Sequence, residues 1–446
     1  MIGALIVIFL AGYLFIAFEH VLSVNKASIA IIMCALLWAV YALNTNDPMM
    51  SAEMVIALGD TCEIIVFLIG AMTIVELIDR YGGFRFIVDN ITATNKRGLM
   101  WILSLIAFFL SAILDNMTTT IIMVMMLRKL LADQKERWMF SGIIVLSANA
   151  GGAWSPIGDI TTIMLWMKNY VTSLNLIINL LLPSIVSVIV PVSIASTMIK
   201  PEPLKAVPDP EYSRKGYDVY TNNRKISLLI FICGIAALLF VPAFKAITHL
   251  APYIGILLSL GILWVITEIV VQKNHLDGKM EGRISNIIHH IDMDTIIFFI
   301  GILMAVAALS QAGILSSLAL WLNDTFHNPY IINGVIGILS SIVDNVPLVA
   351  GCMDMYPVVD QATVAASLDP AYTACFLEDG LFWHLLTFCA GVGGSMLIIG
   401  STAGVVAMGI EKISFMWYMK KITLLALAGY VAGIAVIWLE TLVINI

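Results

Sequence analysis

Charge is the scarcest thing in this chain. Asp, Glu, Lys and Arg make up 12% of its 446 residues, about half the share of an ordinary soluble domain. Paired cysteines are lacking too. Cys34, Cys62, Cys233, Cys352, Cys375 and Cys389 show no CxxC or metal spacing, and most stand inside apolar runs, where cysteine behaves as a small hydrophobe. No P-loop, zinc motif or dinucleotide fingerprint is present, so no cofactor and no nucleotide-driven step is expected. Nothing in the pattern points to nucleic acid. The 24 methionines read as packing rather than a metal relay. Residues 2–18 have no basic leader region and Glu19-His20 is no cleavage site, so no removable signal peptide is expected. Alternating apolar and polar strands are absent as well, which excludes a β-barrel.

What is there is apolar. Hydrophobic residues make up 60% of the chain and the mean hydropathy is +0.98. Apolar runs of about 17 residues or more recur throughout, the length a spanning helix needs. The sequence therefore predicts an all-α polytopic membrane protein whose main partner is the lipid bilayer. Spans are expected at 2–18, 27–43, 62–79, 140–167, 174–199, 226–244, 250–272, 294–314, 382–409 and 417–441.

Two further segments, 98–131 and 331–356, carry the same polar interruption. Ser111-Ala112-Ile113-Leu114-Asp115-Asn116 is matched by Ser340-Ser341-Ile342-Val343-Asp344-Asn345. A carboxylate beside a carboxamide at membrane depth is costly and marks function. Each segment reads as a re-entrant helical hairpin with the polar pair at its tip, a shape tolerated only inside protein or beside a water-filled cavity. Charge placement agrees. With both segments re-entrant and 44–60 external, all but Lys168 and Lys245 of the 23 Lys and Arg fall in inner loops, as the positive-inside rule requires. External loops instead carry acids such as Asp60, Asp360, Asp369 and Asp379.

The chain also repeats itself. Phe67-Leu68-Ile69-Gly70 resembles Phe298-Phe299-Ile300-Gly301, with Gly82 and Gly313 at one spacing behind. Ala148-Asn149-Ala150-Gly151-Gly152, running to Gly158-Asp159, resembles Ala390-Gly391-Val392-Gly393-Gly394, running to Gly400-Ser401. An odd number of crossings separates the copies. The reading is two inverted-topology repeats, 1–199 and 226–446, joined by a cytoplasmic linker at 200–225, each with a re-entrant hairpin and a glycine-broken transmembrane helix. Such repeats bring their broken elements together near the midplane.

Carboxylate, carboxamide and freed main-chain oxygens at the tips suit a hard cation such as sodium. The bland alternative is that Asp115 and Asp344 only cap the arms that follow them; the two roles are compatible. Around the first tip, Asn116, Thr118 and Thr119 add polar groups, and around the second, Ser340 and Asn345. In the first broken helix Asn149, Ser155, Asp159, Thr161 and Thr162 are candidates, with Asp159 read as a ligand or an N-cap. The second break offers Ser395 and Ser401, with Ser401 where Asp159 stands. Sodium is expected at Asp115, Asp159 and Asp344. Glu19 and His20 could sense pH or form an interfacial pair.

At these residues the chain resembles the NhaD-type sodium/proton antiporters of the ion transporter superfamily, which also holds arsenite, dicarboxylate and citrate carriers. The resemblance rests on Glu19-His20 with Asn25-Lys26, on Leu114-Asp115-Asn116-Met117-Thr118-Thr119, and on Gly151 to Asp159. It implies electrogenic exchange of sodium or lithium for protons in a bacterial inner membrane. It also implies that Asp115, Asn116, Asn149, Asp159, Thr161, Thr162, Ser340, Asp344 and Asn345 matter for transport. Pro347 stands where the first half has Thr118, so no hydroxyl role carries to it. The expected partners are small monovalent cations, with a homodimer left open. Two rivals remain at this point: an anion or arsenite carrier, and an intramembrane aspartyl protease. The protease lacks support, because Asp159 follows Pro156-Ile157-Gly158 and not the Gly-x-Gly of such enzymes.

Overall fold

The computed structural model describes residues 1–17, 24–45, 49–84, 93, 95–200, 203, 224–273 and 284–444. The first half runs α1 (Ile2–Ala17), α2 (Lys26–Asn44), α3 (Met50–Arg80), α4 (Lys96–Ser111), α5 (Asn116–Leu130), α6 (Gln134–Ala153), α7 (Ile160–Met167) and α8 (Ser173–Met198). The second runs α9 (Arg224–Thr248), α10 (Pro252–Lys273), α11 (Ile284–Ile287), α12 (Met293–Gln311), α13 (Ile314–Phe326), α14 (Pro329–Ser340) and α15 (Asn345–Met355). It continues through α16 (Gln361–Ala366), α17 (Pro370–Ala374), α18 (Leu381–Gly393), α19 (Thr402–Glu411), α20 (Phe415–Lys421) and α21 (Thr423–Ile444). Most of the 200–225 linker lies outside the described residues.

Among the described residues, seven helices (α2, α3, α8, α9, α10, α12 and α21) are long and apolar enough to cross a membrane. The expected spans at 140–167 and 382–409 are each broken, into α6 and α7 and into α18 and α19. Large apolar side chains such as Val7, Leu14, Val265 and Leu439 stay exposed on the outside, which suits lipid and not water. The protein is an all-α polytopic membrane protein.

Four details depart from the sequence reading. Helix α3 begins at Met50, so most of the expected external loop 44–60 is helical; its Met54, Val55, Ile56 and Leu58 form an exposed apolar extension. Helix α13 was not expected. It starts after Gly313, whose left-handed φ of 71° turns the chain, and it buries only Leu315 and Ala319. The stretch 357–380 is not a plain loop, because Asp360 and Asp369 cap the short helices α16 and α17. The last span is preceded by a separate turn of helix, α20, ending in Lys420 and Lys421.

The two halves interleave. Helix α2 packs on α12, α10 packs on α3, and α8 packs on α21. Exchanging each helix for its sequence counterpart reproduces the partners: α4 lies on α6 as α14 lies on α18, and α5 meets α19 as α15 meets α7. Gly82 and Gly313, closing α3 and α12, share a left-handed backbone at φ 68° and 71°, which glycine alone adopts without strain.

Candidate functional site

Each hairpin turns in four residues, 112–115 between α4 and α5 and 341–344 between α14 and α15. The aspartate ends the turn because the first N–H groups of the next arm lack partners. Asp115 accepts from the Thr118 amide at 2.7 Å and from its hydroxyl at 2.8 Å. Asp344 accepts from the Val346 amide at 3.5 Å. Such caps contribute about 0.5–2 kcal/mol each.

Matching contacts seat both tips on the broken helices. The Ser111 hydroxyl donates to the Ala148 carbonyl at 2.7 Å, and the Ser340 hydroxyl to the Ala390 carbonyl at 2.8 Å. A Cβ on Gly151 would strike the Phe108 carbonyl, and one on Gly393 the Gly337 carbonyl. Both glycines therefore serve close backbone approach. The broken helices resume at capping residues. Asp159 caps α7, taking the Thr161 amide and hydroxyl at 2.9 Å each, while the Asp159 amide donates to the Thr162 hydroxyl at 3.2 Å. Ser401 caps α19 through the Gly404 amide at 3.2 Å.

These four helix starts meet. The Asn116 amide nitrogen donates to Asp159 Oδ2 at 2.5 Å and to Asn149 Oδ1 at 3.1 Å. From the other hairpin, Asn345 Nδ2 lies 3.4 Å from both Asp159 oxygens. Asn149 Nδ2 in turn donates to Ser401 Oγ at 2.9 Å. All five side chains are buried. Each helix start carries roughly half a positive charge, so the junction holds about two, and three of its four caps are carboxylates.

The carboxylates face different spaces. Asp115 lines a cavity of about 80 Å³ walled by Phe67, Phe299, Ile113 and Thr118. Asp344 lines one of about 40 Å³ with Tyr13, Lys26 and Ser401. Thr402 borders both. Lys26 Nζ stands 4.0 Å from Asp344 and over the Phe298 ring at 4.6 Å. Among the described residues no three His, Cys, Asp or Glu gather closely enough to hold one metal ion. Asp115, Asp159 and Asp344 thus form a chain along the junction, not a single three-carboxylate cage.

Other expected residues have local duties. Ser155 donates to the Ala112 carbonyl and holds the first tip. Ser395 is turned away, donating to Val392 O at 2.6 Å. Thr119 Oγ1 is buried without a hydrogen-bond partner. Glu19 and His20 lie outside the described residues. His384 is a buried group 3.9 Å from Asp379. Lys26 as a partner of Asp344 was missed, since nothing in the sequence links residues so far apart; Ser111 was missed although its match to Ser340 was visible.

A family model described as citrate transporter matches residues 13–377. Sodium/proton antiporter 2 of Arabidopsis thaliana is 40% identical over 95% of this chain and 96% of its own length. Na(+)/H(+) antiporter NhaD of Vibrio cholerae is 30% identical over 97% of this chain and 90% of its own length. This chain belongs to the NhaD-type antiporter family. Sodium/proton antiporter 1 of Arabidopsis thaliana, at 41% identity over 97% of this chain and 71% of its own length, is a further member-like relative. Family membership makes the chain a transporter rather than an enzyme, and the aspartyl-protease reading falls.

Proposed function

We propose that this protein exchanges sodium, with lithium as the alternative, for protons across a bacterial inner membrane, its 200–225 linker on the cytoplasmic side. The observation that carries the reading is the junction itself. Four half-helix starts, joined by Asn116, Asn149 and Asn345, have carboxylates on three of them. Either a cation or a proton can neutralise a buried carboxylate, and the two exclude each other. That exclusion couples the ions. Sodium would take oxygens from Asp159 and from whichever of Asp115 or Asp344 faces the open cavity, with Thr118, Thr119, Thr161, Thr162 and Ser401 adding hydroxyls. Relatives named sodium/proton antiporters support the same substrates.

The matched family's description names citrate, which gives a second reading. Converging helix starts do suit an anion when their caps are uncharged. Here a tricarboxylate would meet Asp115, Asp159 and Asp344, and like charges repel.

We further read 1–199 and 226–446 as inverted repeats, so that the two cavities belong to opposite faces and rocking of the hairpin-bearing elements alternates access. The reproduced helix partners support the repeat, and the sorting of basic residues supports the sidedness. The sodium and proton sites are tested by Asp115→Asn and Asp344→Asn in proteoliposomes. Each should abolish sodium-dependent proton flux while purified protein keeps its elution profile. Near-normal exchange in both variants would overturn the assignment.

A further inference from the structure

Lys26 is the first residue of α2, with Asn25 as its cap. A cation there faces the positive end of the helix, which is unfavourable unless something else holds it. Two groups from the other half of the chain help to hold it: the Asp344 carboxylate at 4.0 Å and the Phe298 face at 4.6 Å. The base of the arrangement is anchored, because Asn25 Nδ2 donates to Asp294 at 2.6 Å. The same cavity contains the Tyr13 hydroxyl, buried without a hydrogen-bond partner, a group able to offer its oxygen to a cation. Among the described residues, none that lines the Asp115 cavity is basic.

The charges of the junction then balance. Four helix starts contribute about +2 and three carboxylates −3, and the Lys26 ammonium supplies the remaining +1. An arriving sodium ion finds Asp344 already occupied by a cation of the same charge. At 4.0 Å the pair is looser than a direct hydrogen bond, so the occupant is replaceable.

We propose that Lys26 is a tethered cation that competes with the transported ion for Asp344, filling the second cavity when sodium is absent and withdrawing when sodium binds. The proposal rests on the sodium/proton reading above. It distinguishes the two hairpins: the Asp115 side takes its ion directly, while the Asp344 side must first displace a resident ammonium.

Two measurements on the full-length protein in proteoliposomes test it. In Lys26→Gln the competitor is gone, and the half-saturating sodium concentration for proton flux should fall about ten-fold or more, with a smaller change in maximal rate. Lys26→Arg, which keeps the charge, should not show that fall. The second measurement uses the wild-type protein and does not depend on a variant folding. Modification of Lys26 by an amine-reactive probe, read by mass spectrometry, should rise at least about two-fold when sodium replaces choline at equal ionic strength. Sodium-independent labelling of Lys26 in protein that exchanges sodium for protons would overturn the proposal. So would an unchanged half-saturation in folded Lys26→Gln. A wild-type protein without sodium/proton exchange defeats the functional reading instead, and the wild-type control alone reveals it.

Discussion

The two halves of this molecule build the same scaffold and then charge it differently. In both, a serine at the hairpin tip donates to a broken-helix carbonyl, a glycine lets the backbones touch, and an asparagine reaches Asp159. The caps differ. The first half places Asp159 at its broken helix, and the second places Ser401 there. The scaffold makes a pocket of positive helix ends, and on the function proposed above the choice of cap decides which sign of ion it accepts. On the function proposed above, three aspartates against four helix starts favour a small cation in competition with protons, and Lys26 offsets that excess until the cation arrives.

The two half-helices also differ at their far ends. Beyond α7, Lys168 pairs with Asp60 at 2.5 Å and Glu63 at 3.3 Å, all partly exposed. At the end of α19 the charges are reversed and the acid is buried: Glu411, 0% exposed, is held by the partly exposed Arg128 at 2.6 Å and Arg137 at 2.9 Å. One end is a solvated ion pair, the other an enclosed one.

The largest expected effect comes from erasing the difference in caps. Asp159→Ser should leave helix α7 capped, since serine is also a good N-cap, yet reduce sodium-driven proton flux by about 100-fold, an electrostatic loss of nearly 3 kcal/mol. Flux above half the wild-type rate would show that the asymmetry of caps is incidental. A smaller but still large effect is expected at the enclosed end. Glu411→Gln removes the carboxylate from two arginines that keep backbone-carbonyl partners and should cost about 1.5–2.5 kcal/mol of stability, read as a lowered melting temperature in detergent. The matching change at the open end, Lys168→Gln, should cost less than about 1 kcal/mol. Equal losses at the two ends would contradict the contrast between them.

Much of this was legible in the sequence. Both Asp-Asn tips, both glycine breaks and the match between Asp159 and Ser401 follow from residue order, because helix breakage is a local property of glycine, proline and capping side chains. The pairing of halves was not legible in the same way. That Asn116 and Asn345 both converge on Asp159 depends on how distant helices dock, and so does the meeting of Lys26 with Asp344. Ser395 illustrates the opposite error: it stands beside the second break in sequence, but its hydroxyl is spent on the Val392 carbonyl. Helix α13 was missed because it is short, Ile314–Phe326, and buries only Leu315 and Ala319, leaving Leu318, Leu320 and Trp321 exposed.

The most direct test of the account uses wild-type protein in proteoliposomes holding an acidic interior and a fluorescent pH probe. Pulses of sodium, lithium, choline and citrate are added in turn to the outside. The account predicts that sodium or lithium chloride dissipates the gradient, while choline chloride and choline citrate do not. Dissipation or uptake driven by choline citrate, with no response to sodium chloride, would contradict it.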